Sequence, residues 1–299
     1  MAHNQRLYNI SIKSMLVLLF RLFSHFPLPI LHAIGSAIAR MVYLCSPGYR
    51  QRLKKNITCA GYASYLSEAI SESGKGIMEL PFIWGAPIDR VLASARIENW
   101  EVAQEAIDAG KGVIFFTPHL GCFEIAAQVI AVRTPLTVMY RPPGKEAHKP
   151  IFDEGRKRAN LILAATNLSG VRSMIKALKV GGAIGLLPDH VPRLGDGVWA
   201  DFFGRPAYTM TLSAKLQQMS GARIILSYGE RLPYGRGYVV RFVPFEEKMG
   251  DTPEQQARAI NAAMEKLIAR CPAQYFWSYS RFREPLSVPH TTSSDQGGT

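Results

Sequence analysis

Residues 112–129, GVIFFTPHLGCFEIAAQV, change character twice within a few positions. Val113 to Phe116 form a continuous β-branched and aromatic run, which stops at Thr117-Pro118-His119. From Glu124 onward the apolar residues recur at helical spacing. The stretch therefore predicts a buried strand, a tight turn and a helix. Gly121 supplies the conformational freedom that such an entry needs.

The same alternation continues downstream. LTVMYR reads as a strand, FDEGRKRANLI and VRSMIKALKV as helices, and GAIGLLPD as another strand. LSAKLQQMSG is a helix, ARIILSYGERL and YVVRFVPF are strands, and TPEQQARAINAAMEKLIARCP is a long amphipathic helix. Strands alternating with helices predict an α/β fold, a mostly parallel mixed sheet flanked by helices. Upstream, residues 49–105 read as helices throughout, and "FFGRPAYT" carries a turn at Gly204.

The chain has 299 residues and a net charge of +12. No acidic residue precedes Glu68, whereas Arg6, Lys13, Arg21, Arg40, Arg50, Arg52, Lys54 and Lys55 do. These cations flank the apolar segment Ser14–Cys45, the pattern of a protein resting on anionic lipid rather than of a nucleic-acid reader. Arg21 and His25 interrupt that segment, and Pro27 and Pro29 break it. It predicts two amphipathic helices hinged at "FPLP" rather than one clean span. The expected organisation is a membrane-anchoring segment over 1–48, an α/β domain over 49–288 and a disordered tail over 289–299. The four cysteines, Cys45, Cys59, Cys122 and Cys271, are scattered without framework spacing, which suits a reducing compartment.

His119 and Glu124 are candidates for chemistry because they flank a strand-to-helix turn, where α/β sheets bind ligands. Five residues within one helix separate side chains by about 140°, so the pair meets only if His119 sits in the turn and Glu124 in the first helical turn. A histidine oriented by a carboxylate is a general base. A strand-end histidine beside a glutamate that serves the helix dipole is the plainer alternative. Cys122 reads as a bystander, no G-x-S-x-G elbow is present, and no H-E-x-x-H points to a metal.

Six blocks in order, GKGVIFFTPHLGCFE, VMYRPP, GRKRANL, IKALKVGGAIGLLPDH, DFFGRPAYTMTLSAKLQQMSGARIIL and PAQYFWSYSRFREP, resemble the late (secondary) acyltransferases of lipid A biosynthesis. The resemblance extends to "HFPLPILHAIGSAIARMVYL" and covers the chain to about Pro285. It implies an α/β fold of the glycerolipid-acyltransferase type. It also implies an enzyme at the cytoplasmic face of the bacterial inner membrane, which moves a fatty acyl chain from acyl carrier protein to a hydroxyl of an acylated lipid A precursor, without a cofactor. His119 would be the base and Glu124 its acidic partner. Arg141, Arg156, Arg158 and Asp189 match basic and acidic positions expected to bind substrate. A thioester needs only a deprotonated acceptor hydroxyl and a stabilised oxyanion, so direct attack without a covalent intermediate is expected.

The chain departs from the pattern at Cys122-Phe123, where many members have Asn-Trp, at Asp189-His190, where many have Asp-Gln, and after "YRPP", which lacks an asparagine. These departures leave room for a relative acting on another glycolipid or aminolipid acceptor. A non-catalytic basic protein that binds membrane or nucleic acid is the reading from a different class.

Overall fold

The computed structural model describes residues 15, 17–140, 155 and 158–286 of the chain. Strands β1 (Ala95–Glu98), β2 (Val113–Phe116), β3 (Leu136–Tyr140), β4 (Leu161–Ala165), β5 (Ala183–Leu186), β8 (Arg223–Arg231) and β9 (Tyr238–Pro244) form one sheet in the order β1-β9-β8-β2-β5-β3-β4. Every neighbouring pair is parallel except β8 and β9. Strands β6 (Gly197–Phe202) and β7 (Arg205–Met210) make a separate antiparallel hairpin. Its turn residues, Phe203 and Gly204, both adopt positive φ, as a two-residue hairpin turn requires.

Alternate residues of the central strands feed two apolar cores. Ile114, Phe116, Ile184 and Leu186 face one side with α8 (Leu168–Lys179) and α10 (Pro253–Ile268). Val113, Phe115 and Ala183 face the other side with α6 (Trp100–Asp108) and α7 (Phe123–Ala131). Full burial of such side chains stabilises by roughly 1.5–3 kcal/mol each. A central parallel strand is thus apolar at every position, because helices cover both faces.

The N-terminal segment bends where its prolines predict. Helical residues run to Ser24, and Pro27 precedes α1 (Leu28–Cys45), followed by α2 (Pro47–Cys59) and α3 (Leu66–Met78). Helix α1 is long and apolar enough to cross a membrane, yet one face is packed against the protein. Leu28, Leu31, His32, Gly35 and Ala39 point inward. At Gly35 a Cβ would lie 2.5 Å from the Gly74 carbonyl, so α1 and α3 cross backbone to backbone. Ile30, Ile38, Met41 and Leu44 remain exposed.

Two strands replace predicted helix. Ala95–Glu98 is β1, a short edge strand paired in parallel with β9. With four residues and no apolar run, its local pattern carries no strand signal. Leu161–Ala165 is β4, although the basic stretch FDEGRKRANLI predicts helix through Ile162. Ala159 takes a positive φ, incompatible with a continuing helix, and Leu161 then pairs with Leu136 of β3. In both cases pairing to a neighbouring strand overrides local periodicity. The predicted tail and all but Gly155 of residues 141–157 lie outside the described residues.

Candidate active site

Strands β2 and β5 are neighbours with Phe116 opposite Leu186. Each continues for three residues with the same punctuation, Thr117-Pro118-His119 on one and Leu187-Pro188-Asp189 on the other. Equal lengths beyond a matched register bring the two third residues together. His119 Nδ1 lies 2.8 Å from Asp189 Oδ1, and the His119 backbone N–H donates to Oδ2 at 2.9 Å. Burial opposes ionisation of Asp189, but the His119 charge and these hydrogen bonds outweigh it and hold the carboxyl well below the ordinary range. An ionised carboxylate only accepts, so Nδ1 carries a proton, and in the neutral ring Nε2 presents its lone pair. Among the described residues no group hydrogen-bonds to Nε2.

The turn that carries His119 is fixed from below. Gly121 adopts φ +58°, donates its N–H to the Gln274 carbonyl at 3.0 Å, and leaves no room for a Cβ against Gly229. Cys122 N–H donates to the Gly229 carbonyl at 2.7 Å, and Phe276 N–H to the His119 carbonyl at 3.0 Å. Arg231 donates to the Gly121 carbonyl at 2.8 Å while pairing with Glu79 through two hydrogen bonds of 2.7 and 2.8 Å. Glu79 also accepts from Tyr238 at 3.1 Å and lies 3.3 Å from His32 on α1. Burial opposes its ionisation, yet Arg231 and His32 bring its pKa down to about 2.

Around His119 the rings are ordered. His190 stacks on it at 3.9 Å between centroids with 13° between planes, and Tyr279 stacks on the far side of His190 at 4.4 Å. Burial, and then the charge of His119, lower the pKa of His190 to about 4, so this imidazole stays neutral near pH 7. Phe123 meets His119 edge-on at 4.9 Å. The stack is anchored by Asn56 of α2, which donates to the Trp277 and Tyr279 carbonyls at 2.8 Å.

His119, His190 and Glu124 all line one cavity of about 920 Å³. Its walls are mostly apolar, and exposed Arg193 and Lys215 belong to its lining as well. Glu124 occupies the first turn of α7, is 5% exposed, and accepts from Trp84 Nε1 at 3.0 Å. His119 and Glu124 thus share the cavity as the turn geometry requires, while the carboxylate hydrogen-bonded to the histidine is Asp189. Arg158 is half-buried and donates to the carbonyls of Ile83 and Ala86, at the C-terminal end of α4 (Leu80–Gly85). Arg141 and Arg156 lie outside the described residues. Burial first of all pushes the Cys122 thiol well above its ordinary value, so it is a poor nucleophile. Among the described residues no cluster of three His, Cys, Asp or Glu side chains could hold a metal ion.

The "FWSYSRFR" block is structural at the first of its two arginines. Arg281, 2% exposed, donates to the Tyr208 carbonyl and to Thr209 Oγ1, both at 2.7 Å. It thereby ties the C-terminal segment to the β6–β7 hairpin.

The profile of the family described as bacterial lipid A biosynthesis acyltransferase matches residues 2–284. A lipid A biosynthesis lauroyltransferase of Escherichia coli (strain K12) is 25% identical over 281 residues, covering 88% of this chain and 89% of that protein. A lipid A biosynthesis palmitoleoyltransferase of the same strain is 24% identical over 265 residues, covering 86% of each. A lipid A biosynthesis acyltransferase of Haemophilus influenzae is 25% identical over 254 residues, covering 83% of this chain and 77% of its own length.

Proposed function

Because the chain belongs to the bacterial lipid A biosynthesis acyltransferases, we propose that it moves a fatty acyl group from acyl carrier protein to a hydroxyl of an acylated lipid A precursor. The observation that carries this reading is the orientation of His119. Its Nδ1 is occupied by ionised Asp189, and the ring lines an apolar cavity with Nε2 as its available base.

Nε2 takes the proton of the acceptor hydroxyl as its oxygen attacks the thioester carbonyl carbon. The new C–O bond forms, the C–S bond then breaks, and the departing thiolate recovers the proton from the imidazolium. Asp189 fixes the tautomer and stabilises that imidazolium, which makes it a positioning residue. The stacked neutral ring of His190 holds the plane of His119. Glu124, held by Trp84, contributes a second negative charge from the cavity wall and supports the imidazolium from that side. The first-turn N–H groups of α7 have no intrahelical acceptors, and the helix dipole favours developing negative charge there. No covalent acyl-enzyme is required.

The site is reached from a membrane surface in this proposal. The exposed apolar residues Leu18, Leu22, Ile30, Met41 and Leu44 lie in a segment whose charges are all positive. With α1 packed on α3 along one face, its other face is free for lipid, which supports a segment lying along the membrane rather than across it; the cytoplasmic face of the inner membrane is the side proposed. Flotation with vesicles should give binding that strengthens with anionic lipid; equal binding to neutral vesicles counts against the charge argument.

Mass spectrometry of lipid A from cells with and without the protein tests the function. A gain of one acyl chain by an under-acylated precursor, absent with His119→Ala, is the expected result. An unchanged lipid A profile, with a different glycolipid or aminolipid acylated instead, would replace the acceptor and keep the chemistry.

A further inference from the structure

Gly185 stands in the interior of β5, a strand otherwise made of apolar residues and flanked on both sides. Its backbone is not in the left-handed region, so no conformational requirement explains it. A glycine in a buried strand weakens packing, and its remaining rationale is close approach by something else. Phe115 and Val138 are its cross-strand neighbours on the two sides, on the face that α7 covers. The row therefore reads large, absent, β-branched, a notch in the sheet surface.

The cavity that holds His119 occupies that notch. Its lining includes Phe115, Gly185 and Val138 on the sheet, with Ala127 and Ile130 of α7 above them. Phe123, Ala127 and Ile130 follow one another at i, i+4 and i+7, so they form one stripe on the helix. Leu136, at the start of β3, is lining too, although His119 lies beyond the opposite ends of the strands. From Leu136 to Tyr140 the strand advances about 13 Å. An arm of the cavity thus runs along the sheet from the base toward the amino-terminal edge, and its walls are hydrocarbon.

We propose that this arm seats the acyl chain of the thioester and that Gly185 sets the chain length it accepts. The proposal rests on the acyl-transfer reading and deepens it. A long unbranched chain matches an apolar groove that begins at the reacting centre and is lined by Phe115, Val138 and Leu136. A Cβ added at Gly185 would lie 3.0 Å from Val138 Cγ1 and 3.7 Å from Leu136 Cδ1. That position is tight enough to obstruct the groove and close enough to be accommodated by a small shift.

The test uses the full chain with a series of saturated acyl-carrier-protein thioesters of increasing length and lipid A precursors that bear acyl chains of different length. Gly185→Ala should move the optimum to shorter acyl donors, changing the ratio of kcat/KM between neighbouring lengths by about tenfold, the effect of a methylene in a fitted pocket. Val138→Ala, which widens the groove, should move it to longer ones. Equal losses across all lengths, or an unmoved ratio in both variants, would overturn the assignment. If the variants instead change KM for precursors bearing different chains, the groove holds the acceptor's acyl chain and the assignment to the donor fails. Displacement of the fluorescent fatty acid parinaric acid by free saturated fatty acids reads the groove without turnover. A length preference there that shifts in the variants, with no transfer by the wild type, would refute the function and keep the groove. Transfer by the wild type without any shift in displacement would refute the groove and keep the function.

Discussion

Among the described residues two histidine–carboxylate pairs stand out, and they differ in what the histidine faces. His119 and Asp189 meet at 2.8 Å, and His32 and Glu79 at 3.3 Å. Both carboxylates are buried and held ionised below the ordinary range. The difference lies in the second ring nitrogen and in what surrounds the acid. Among the described residues His32 Nδ1 is buried with no hydrogen-bond partner, whereas the His119 ring lines the large cavity. Glu79 is saturated by Arg231, Tyr238 and His32, so its charge is spent on holding α1, β8, β9 and the Gly121 turn together. Asp189 spends its charge on a ring that faces an apolar space. A carboxylate makes a base of a histidine when the far nitrogen has somewhere to deliver its lone pair.

Substitutions at the two pairs should therefore separate activity from stability. His119→Ala should have the largest effect, lowering acyl transfer by about 10²–10⁴-fold, with only a modest fall in the thermal unfolding midpoint because the backbone N–H at position 119 still reaches Asp189. A variant that keeps near-normal transfer would remove His119 from the mechanism. Asp189→Asn should follow, with kcat falling by roughly 10²-fold or more as the tautomer is lost, and KM for both substrates holding steady. Glu124→Gln in the same assay should cost less than Asp189→Asn; the reverse order would make Glu124 the principal partner of His119.

At the other pair the loss should be in stability. Glu79→Ala removes the two shortest ion-pair bonds of buried Arg231 and leaves it only Glu72 at 3.4 Å, and should cost about 3 kcal/mol by chemical denaturation. A change below about 1 kcal/mol would mean that the buried network adds little beyond packing. Acid should probe the same network. The pKa of Glu79 is lowered from 4.5 to about 2, so its contribution is complete above 4.5 and disappears as pH falls toward 2. His190, lowered from 6.5 to about 4, loses its contribution earlier, as pH falls through that interval. Glu79→Gln should flatten the lower limb and leave the upper one. His32→Ala should have the smallest effect, about 1 kcal/mol of stability with kcat unchanged; a loss of kcat would show that α1 reports to the catalytic turn through Glu79.

Much of this is legible in residues 112–129, where strand, turn and helix follow from spacing and from Gly121. The His119–Glu124 spacing predicts one residue in the turn and one in the first helical turn, and both line one cavity in the fold. It does not reveal Asp189, seventy residues later, as the group bonded to His119. A signal was nonetheless present in the matching T-P-H and L-P-D endings of two apolar strands. Its meaning depends on those strands being neighbours in register, which no local pattern states. Arg158 matches a basic position that the resemblance expects to bind substrate. In the fold its guanidinium satisfies carbonyls at a helix end, a need invisible until α4 and the residue before β4 are side by side.

The N-terminal segment divides the same way. Its prolines, its apolar content and its lack of acidic residues before Glu68 are properties of the sequence, and they determine two helices of apolar and basic character. Tertiary structure decided which face of α1 is spent on the protein, because Gly35 and Gly74 approach closely only once α3 is in place. For the site as a whole, sequence determined the kinds of group available and the ends of the strands that carry them. Which carboxylate meets His119, and that Gly185 leaves a groove beside it, were decided by strand order and register. Hydrogen bonding and packing act over ångströms in space, whatever the distance along the chain.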